Sequence, residues 1–149
     1  MKQTVSFLLG AAALVAALDL AQKQLAISER GGGVYLHDRP LSYVIAGAAL
    51  SLGWAGAIAL TRSALIAVPG GVVLGGAAGN LVSFALWPSL TGVPDTIVAG
   101  GLAFSVGDLA VGLGLLLLVP AALVFARKNK GRLFQPLGSG VAARSPMSD

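Results

Sequence analysis

Six of the 149 residues are acidic, and three of them lie in or beside strongly apolar sequence: Asp19, Asp95 and Asp108. An acid inside a bilayer is costly unless paired or hydrated, so each is a candidate functional group. Asp108 ends the segment Phe104-Ser105-Val106-Gly107-Asp108, directly ahead of an apolar run to Phe125. Asp95 lies in Gly92-Val93-Pro94-Asp95-Thr96-Ile97. Two carboxyls that share a proton form a general acid/base pair able to activate water against a peptide bond. Such a dyad must reach a common water. Asp95 and Asp108 are thirteen positions apart, which is about 20 Å on one straight helix. The chain between them must therefore fold back, and Gly100-Gly101 supplies the backbone freedom to do so. The dyad predicts a break at that pair, with residues 93–99 over the mouth of the site. A continuous helix over 94–125 excludes it. The blander readings are a solvated loop acid for Asp95, and for Asp108 a carboxyl partnered by Asn80 or Ser105 that locks a bundle.

The other polar residues could support such a pair. Asp19 and Lys23 are four apart, the spacing of a favourable helical ion pair. They read either as orienting the site or as a pair snorkelling to the interface. Asn80 sits in apolar sequence, where an Asn makes interhelical hydrogen bonds. His37, beside Asp38 and Arg39, reads as a solvated loop residue. Trp54, Trp87, Tyr35 and Tyr43 read as interface or packing aromatics. With no Cys and one His, neither a disulfide framework nor a Cys- or His-rich metal site can form.

The elements that must position these residues are membrane helices. Hydrophobic residues make up 56% of the chain and charged residues 11%, against about 25% charged in a soluble domain. Mean hydropathy is +0.84. This excludes a soluble enzyme and a disordered chain. A net charge of +4 is too small to point to nucleic acid. Apolar stretches of roughly 20 residues mark spans at about 5–25, 41–60, 64–86 and 98–125. The fold class is thus an all-α membrane protein, a four-helix bundle over residues 1–132, with a small extracytoplasmic part. On these bounds Asp108 lies about ten residues inside span four, roughly 15 Å deep. Residues 133–149 are expected to be a disordered cytoplasmic tail.

Lys2, Arg62 and the cluster Arg127, Lys128, Lys130 and Arg132 fall on one side if the spans are four. The excess of Lys and Arg there predicts both termini in the cytoplasm. Lys2 and the apolar run to Leu18 also resemble a secretory signal peptide, but Asp19 stands where a small residue should permit cleavage. Gly71, Gly75 and Gly79 share one face of span three, a groove for close helix packing that would hold Asn80 at a tight contact. Gly107, Gly112 and Gly114 repeat the theme in span four.

In their order these motifs resemble signal peptidase II, the lipoprotein signal peptidase family. The resemblance covers roughly residues 14–118. Asp19-Leu20-Ala21-Gln22-Lys23 is similar to the family's Asp-x-x-x-Lys, and Gly75-Gly76-Ala77-Ala78-Gly79-Asn80 to its Gly-Gly-Ala-x-Gly-Asn block. Gly92-Val93-Pro94-Asp95 resembles Gly-x-Val-x-Asp with one residue fewer, and Phe104-Ser105-Val106-Gly107-Asp108 resembles Phe-Asn-x-Ala-Asp. Ser83 and Phe84 stand where the family has an acid and a basic residue, and Ser105 and Gly107 stand for its Asn and Ala. The resemblance implies an intramembrane aspartic endopeptidase with Asp95 and Asp108 as catalytic dyad. Asp19, Lys23, Asn80, Ser83 and Ser105 would be the supporting residues. The substrate would be a diacylglyceryl-modified prolipoprotein, cut just before its lipidated cysteine at the bacterial cytoplasmic membrane. No metal or organic cofactor is implied. Membrane lipids are the only other partners expected, nucleic acid is not one, and the chain is expected to be a monomer.

The replaced positions open a second reading, a catalytically silent relative that binds a lipid or a membrane partner. A third, a small transporter or channel subunit, has few polar positions with which to line a pathway.

Overall fold

In the computed structural model, which describes residues 2–30, 35–88, 90 and 92–133, four helices are long and apolar enough to cross a membrane. They are α1 (Lys2–Arg30), α2 (Leu41–Leu60), α3 (Ala64–Leu86) and α4 (Val106–Lys128), followed by the short α5 (Lys130–Leu133). The chain is an all-α, multi-pass bundle, with four short strands at one end among the described residues. The tail beyond residue 133 and the side chain of His37 lie outside what is described.

Helix directions follow from the residues that meet. On α3, Gly71 packs on the backbone of Leu8, and Gly75 and Gly79 pack on Ala12 and Asp19, so α1 and α3 run parallel. Gly76 faces Gly107 while Gly114 faces Val73 and the Pro69 carbonyl, so α4 runs antiparallel to α3. Gly47 faces Leu81 and Gly70 faces Ile58, which sets α2 antiparallel to α3 as well. The Trp54 indole fixes that contact by donating to the Gly70 carbonyl oxygen at 2.9 Å. Helix α3 is thus the centre of the bundle, with its small-residue faces turned to α1 and α4. Without a hydrophobic force between helices in lipid, this backbone approach is what holds them together. Gly112, expected to share that role, does not: a Cβ at that position would meet nothing within 4 Å.

The largest departure from the sequence reading lies between α3 and α4. Span four starts at Val106 rather than at residue 98. Strands β1 (Tyr35–Asp38) and β2 (Gly92–Asp95) pair antiparallel, with Tyr35 opposite Asp95. Strands β3 (Ile97–Ala99) and β4 (Leu102–Phe104) form a hairpin. Its two-residue loop is Gly100-Gly101, at φ 60° and 80°. Two consecutive positive φ angles are the type I′ pattern that matches strand twist, and glycine adopts them without a steric cost. The break expected at this pair is present. An apolar run such as Ile97-Val98-Ala99 reads equally well as helix or strand, and the glycine pair decides the matter.

The packing predicts a contrast between glycines. A Cβ at Gly75 would lie 2.5 Å from the Ala12 carbonyl oxygen, whereas one at Gly53 meets nothing within 4 Å. Gly75→Val is expected to destabilise the bundle by about 1–3 kcal/mol through overpacking, and Gly53→Ala to leave it unchanged. Thermal unfolding in detergent, followed by circular dichroism, checks both.

Candidate functional site

The strand end of the bundle holds a polar network built from three helices. Helix α1 contributes Asp19 and Lys23, which are both fully buried and form an ion pair of 2.6 Å. Helix α3 contributes Asn80 and Ser83, in its last two turns. Helix α4 contributes Ser105, Gly107 and Asp108 at its N-terminus.

Lys23 has three donors and finds three acceptors. Its Nζ meets Asp19 Oδ2, donates to Asn80 Oδ1 at 2.7 Å and donates to Ser83 Oγ at 3.0 Å. Ser83 in turn donates to the Gly79 carbonyl oxygen at 2.6 Å. The other oxygen of Asp19 accepts the Gly107 backbone N–H at 2.6 Å, which ties α1 to the first turn of α4. Two glycines make room for this carboxylate. A Cβ at Gly79 would lie 2.5 Å from Asp19 Oδ2, and one at Gly107 would lie 3.1 Å from Oδ1. The pair does not snorkel to the interface; it is the internal junction of three helices.

Lys23 also orients Asn80. An ammonium only donates, so the Asn80 carbonyl oxygen must face it and the amide must face away. That amide donates to Asp108 Oδ1 at 2.9 Å. The other oxygen of Asp108 accepts the Ser105 backbone N–H at 2.9 Å, and the Asp108 N–H donates back to Ser105 Oγ at 3.3 Å. This is a reciprocal capping box, which satisfies two otherwise orphaned donors at a helix start. The single Ser105 hydroxyl proton can serve Asp108 Oδ2 at 3.0 Å or Asn80 Oδ1 at 3.2 Å. Asp108 is therefore the third residue of α4 and not ten residues inside a helix, because the hairpin takes up the chain before it.

Asp108 and Asn80 form the polar wall of a cavity of about 280 Å³ between α2, α3 and α4. Gly47, Ala77, Leu81 and Val111 make its apolar walls, and Tyr43 also borders it. Tyr43 is held from the loop side by Arg39, whose guanidinium stacks 4.5 Å from the ring centroid. Asp95 does not line this cavity. It is placed by β2, is 2% exposed, and lies on a strand that packs against α3. The next residue, Thr96, donates to Gln22 Oε1 at 2.6 Å and so fastens this segment to α1 one position before Lys23.

Six of the seven residues singled out from sequence thus share one hydrogen-bonded network, and Asp95 is buried on the strand beside it. The Asn80 and Ser105 bonds to Asp108 are the partners named in the blander reading of that acid, while the reciprocal backbone half of the capping box and one tertiary bond were missed. The capping box was visible as Ser105-x-x-Asp108 ahead of an apolar run. The Thr96–Gln22 bond left no sequence signal, since its partners are far apart in the chain. Among the described residues no group of His, Cys, Asp and Glu could hold a metal ion. Comparison with protein-family models, with curated proteins and with solved structures finds no match.

Burial makes the ion pair a sensitive point. Lys23→Met leaves the Asp19 carboxylate buried without its cation, an expected loss of about 3–5 kcal/mol. Adding Asp19→Asn should recover part of that loss, because no uncompensated charge remains. Unfolding midpoints of the single and double variants in one detergent check this. A double variant no more stable than Lys23→Met contradicts it.

Proposed function

We propose that this chain is an intramembrane aspartic endopeptidase of the signal peptidase II type, acting on prolipoproteins that carry diacylglycerol on their lipobox cysteine. The observation that carries the reading is the Asp108 carboxylate, set in the wall of a mostly apolar cavity and oriented by Asn80 and Ser105. The motif order around Asp19, Asn80, Asp95 and Asp108 supports it. In the proposed reaction Asp95 and Asp108 share one proton and one water. The ionised carboxyl takes a proton as the water oxygen adds to the scissile carbonyl carbon. The protonated carboxyl donates to the carbonyl oxygen. The tetrahedral intermediate then collapses, and the departing amine takes a proton from the dyad. Lys23 acts through Asn80, as a positioning residue, and the chemistry asks for no metal or organic cofactor.

The same reading assigns the membrane orientation. Lys2, Arg62, Arg127 and Lys128 lie at the bundle end away from the network, which favours N-in, C-in placement in a bacterial cytoplasmic membrane. The site then opens near the outer face, where lipidated substrates reside, and a monomer suffices.

A second reading, a silent relative that binds a lipid or a protein partner, is favoured by one feature. Both Asp108 oxygens already accept protein donors, Asn80 Nδ2 on one and the Ser105 N–H on the other. Cleavage of a lipidated prolipoprotein in detergent separates the two. The wild type should cleave, and Asp95→Asn and Asp108→Asn should each lose on the order of a hundredfold or more. Equal rates for all three proteins contradict the peptidase. No cleavage by the wild type, with a stoichiometric partner co-purifying, favours the silent relative.

A further inference from the structure

The end of the bundle opposite the acid network carries a second cavity, of about 650 Å³. It lies where the α2–α3 turn meets the C-terminus of α4 and is lined by Arg62, Ser63 and Lys128 beside the apolar Leu65 and Phe125. Its charge is one-sided. The acids of the described residues are Asp19, Glu29, Asp38, Asp95 and Asp108, and all belong to the strand end. Lys2, Arg62, Arg127, Lys128 and Lys130 gather at this end with no acid among the described residues to pair with them. The turn itself is unusual. Arg62 is held at φ 52°, in the left-handed region that non-glycine residues seldom enter. The Ser63 side chain makes no capping bond to the first turn of α3, and the N-terminal end of that helix adds its partial positive charge to the field.

We infer that the Arg62–Lys128 cavity is a binding site for a phosphate monoanion, the group carried by the headgroup of an anionic phospholipid. Two cations from different elements converge on one cavity, and apolar side chains form its remaining wall. Phosphate pairs with the former, and an acyl chain leaving the headgroup runs along the latter. The position agrees with the chemistry: the cavity sits at the end of three membrane-length helices, at the level where headgroups lie. A bound anion would also join the α2–α3 turn to α4, whose residues line the same cavity. This inference does not rest on the peptidase reading, and its test does not measure cleavage.

The full-length chain is placed in nanodiscs of phosphatidylcholine with and without phosphatidylglycerol. Lipid retention is then read by native mass spectrometry, alongside the unfolding temperature. The wild type should retain phosphatidylglycerol saturably and unfold at a higher temperature in its presence. Arg62→Asn/Lys128→Gln should weaken that retention by roughly tenfold; Asn is chosen because it tolerates the left-handed backbone. Arg127→Gln/Lys130→Gln removes the same charge from positions that do not line the cavity, and should retain the lipid nearly as the wild type does. Inorganic phosphate added to phosphatidylcholine discs separates the sources. Stabilisation of the wild type but not of Arg62→Asn/Lys128→Gln supports the site and assigns it to a soluble anion. Matching helical circular dichroism for all variants guards against misfolding. Equal loss in both double variants, or equal retention by all three proteins with no response to phosphate, overturns the inference.

Discussion

The structure turns on a charged pair that cannot reach water. Asp19 and Lys23 are both fully buried, and a buried pair is tolerated only where hydrogen bonds answer its remaining valences. Here they do. Asn80 and Ser83 of α3 complete the ammonium, and the Gly107 N–H of α4 completes the carboxylate. These partners come from two other helices, so satisfying the pair sets the register of α1, α3 and α4 together. The glycines serve the same constraint. Gly79 and Gly107 leave the space that the Asp19 side chain fills. Because unpaired polar groups are so costly in lipid, one network can specify an assembly whose apolar surfaces offer little discrimination.

From that junction the polarity passes outward in one direction. Lys23 fixes the Asn80 amide, the amide meets Asp108, and Ser105 clamps the other carboxylate oxygen. The helix start that supplies Asp108 is set by the Gly100-Gly101 hairpin, whose first strand begins two residues after Asp95. A buried ion pair thus presents an acid at the wall of a cavity by way of a neutral amide. On the proposed reading this is how the protein keeps a carboxyl in one orientation within reach of the membrane. The opposite end follows a contrasting rule. There the cations meet no acid among the described residues, and on the proposed reading the solvent or lipid answers them.

Much of this was legible in the sequence. The spans were, because long apolar runs have no other stable home, and α2 and α3 fall at the expected residues 41–60 and 64–86. The glycine face of α3 was legible from its four-residue spacing, as was the Asp19–Lys23 pair. The start of span four was not. Ile97 to Phe104 is apolar enough to read as helix, and only the glycine pair within it marks a hairpin. Taking that stretch as helix also put Asp108 too deep. Asn80 was named as one of two possible partners of Asp108, but the choice between Asn80 and Ser105 was open because interhelical rotation has no local signature; both bond to it. Ser83 gave no signal of its own; it matters because an ammonium four residues from Asp19 needs a third acceptor.

If Asp95 and Asp108 act as one acid/base unit, their contributions to cleavage cannot multiply. The most direct measurement is a double-mutant cycle on the rate of prolipoprotein cleavage with Asp95→Asn, Asp108→Asn and both together. The double variant should be about as slow as either single one, as for groups that function only as a pair. Losses that multiply, or a single variant that keeps the wild-type rate, would contradict it.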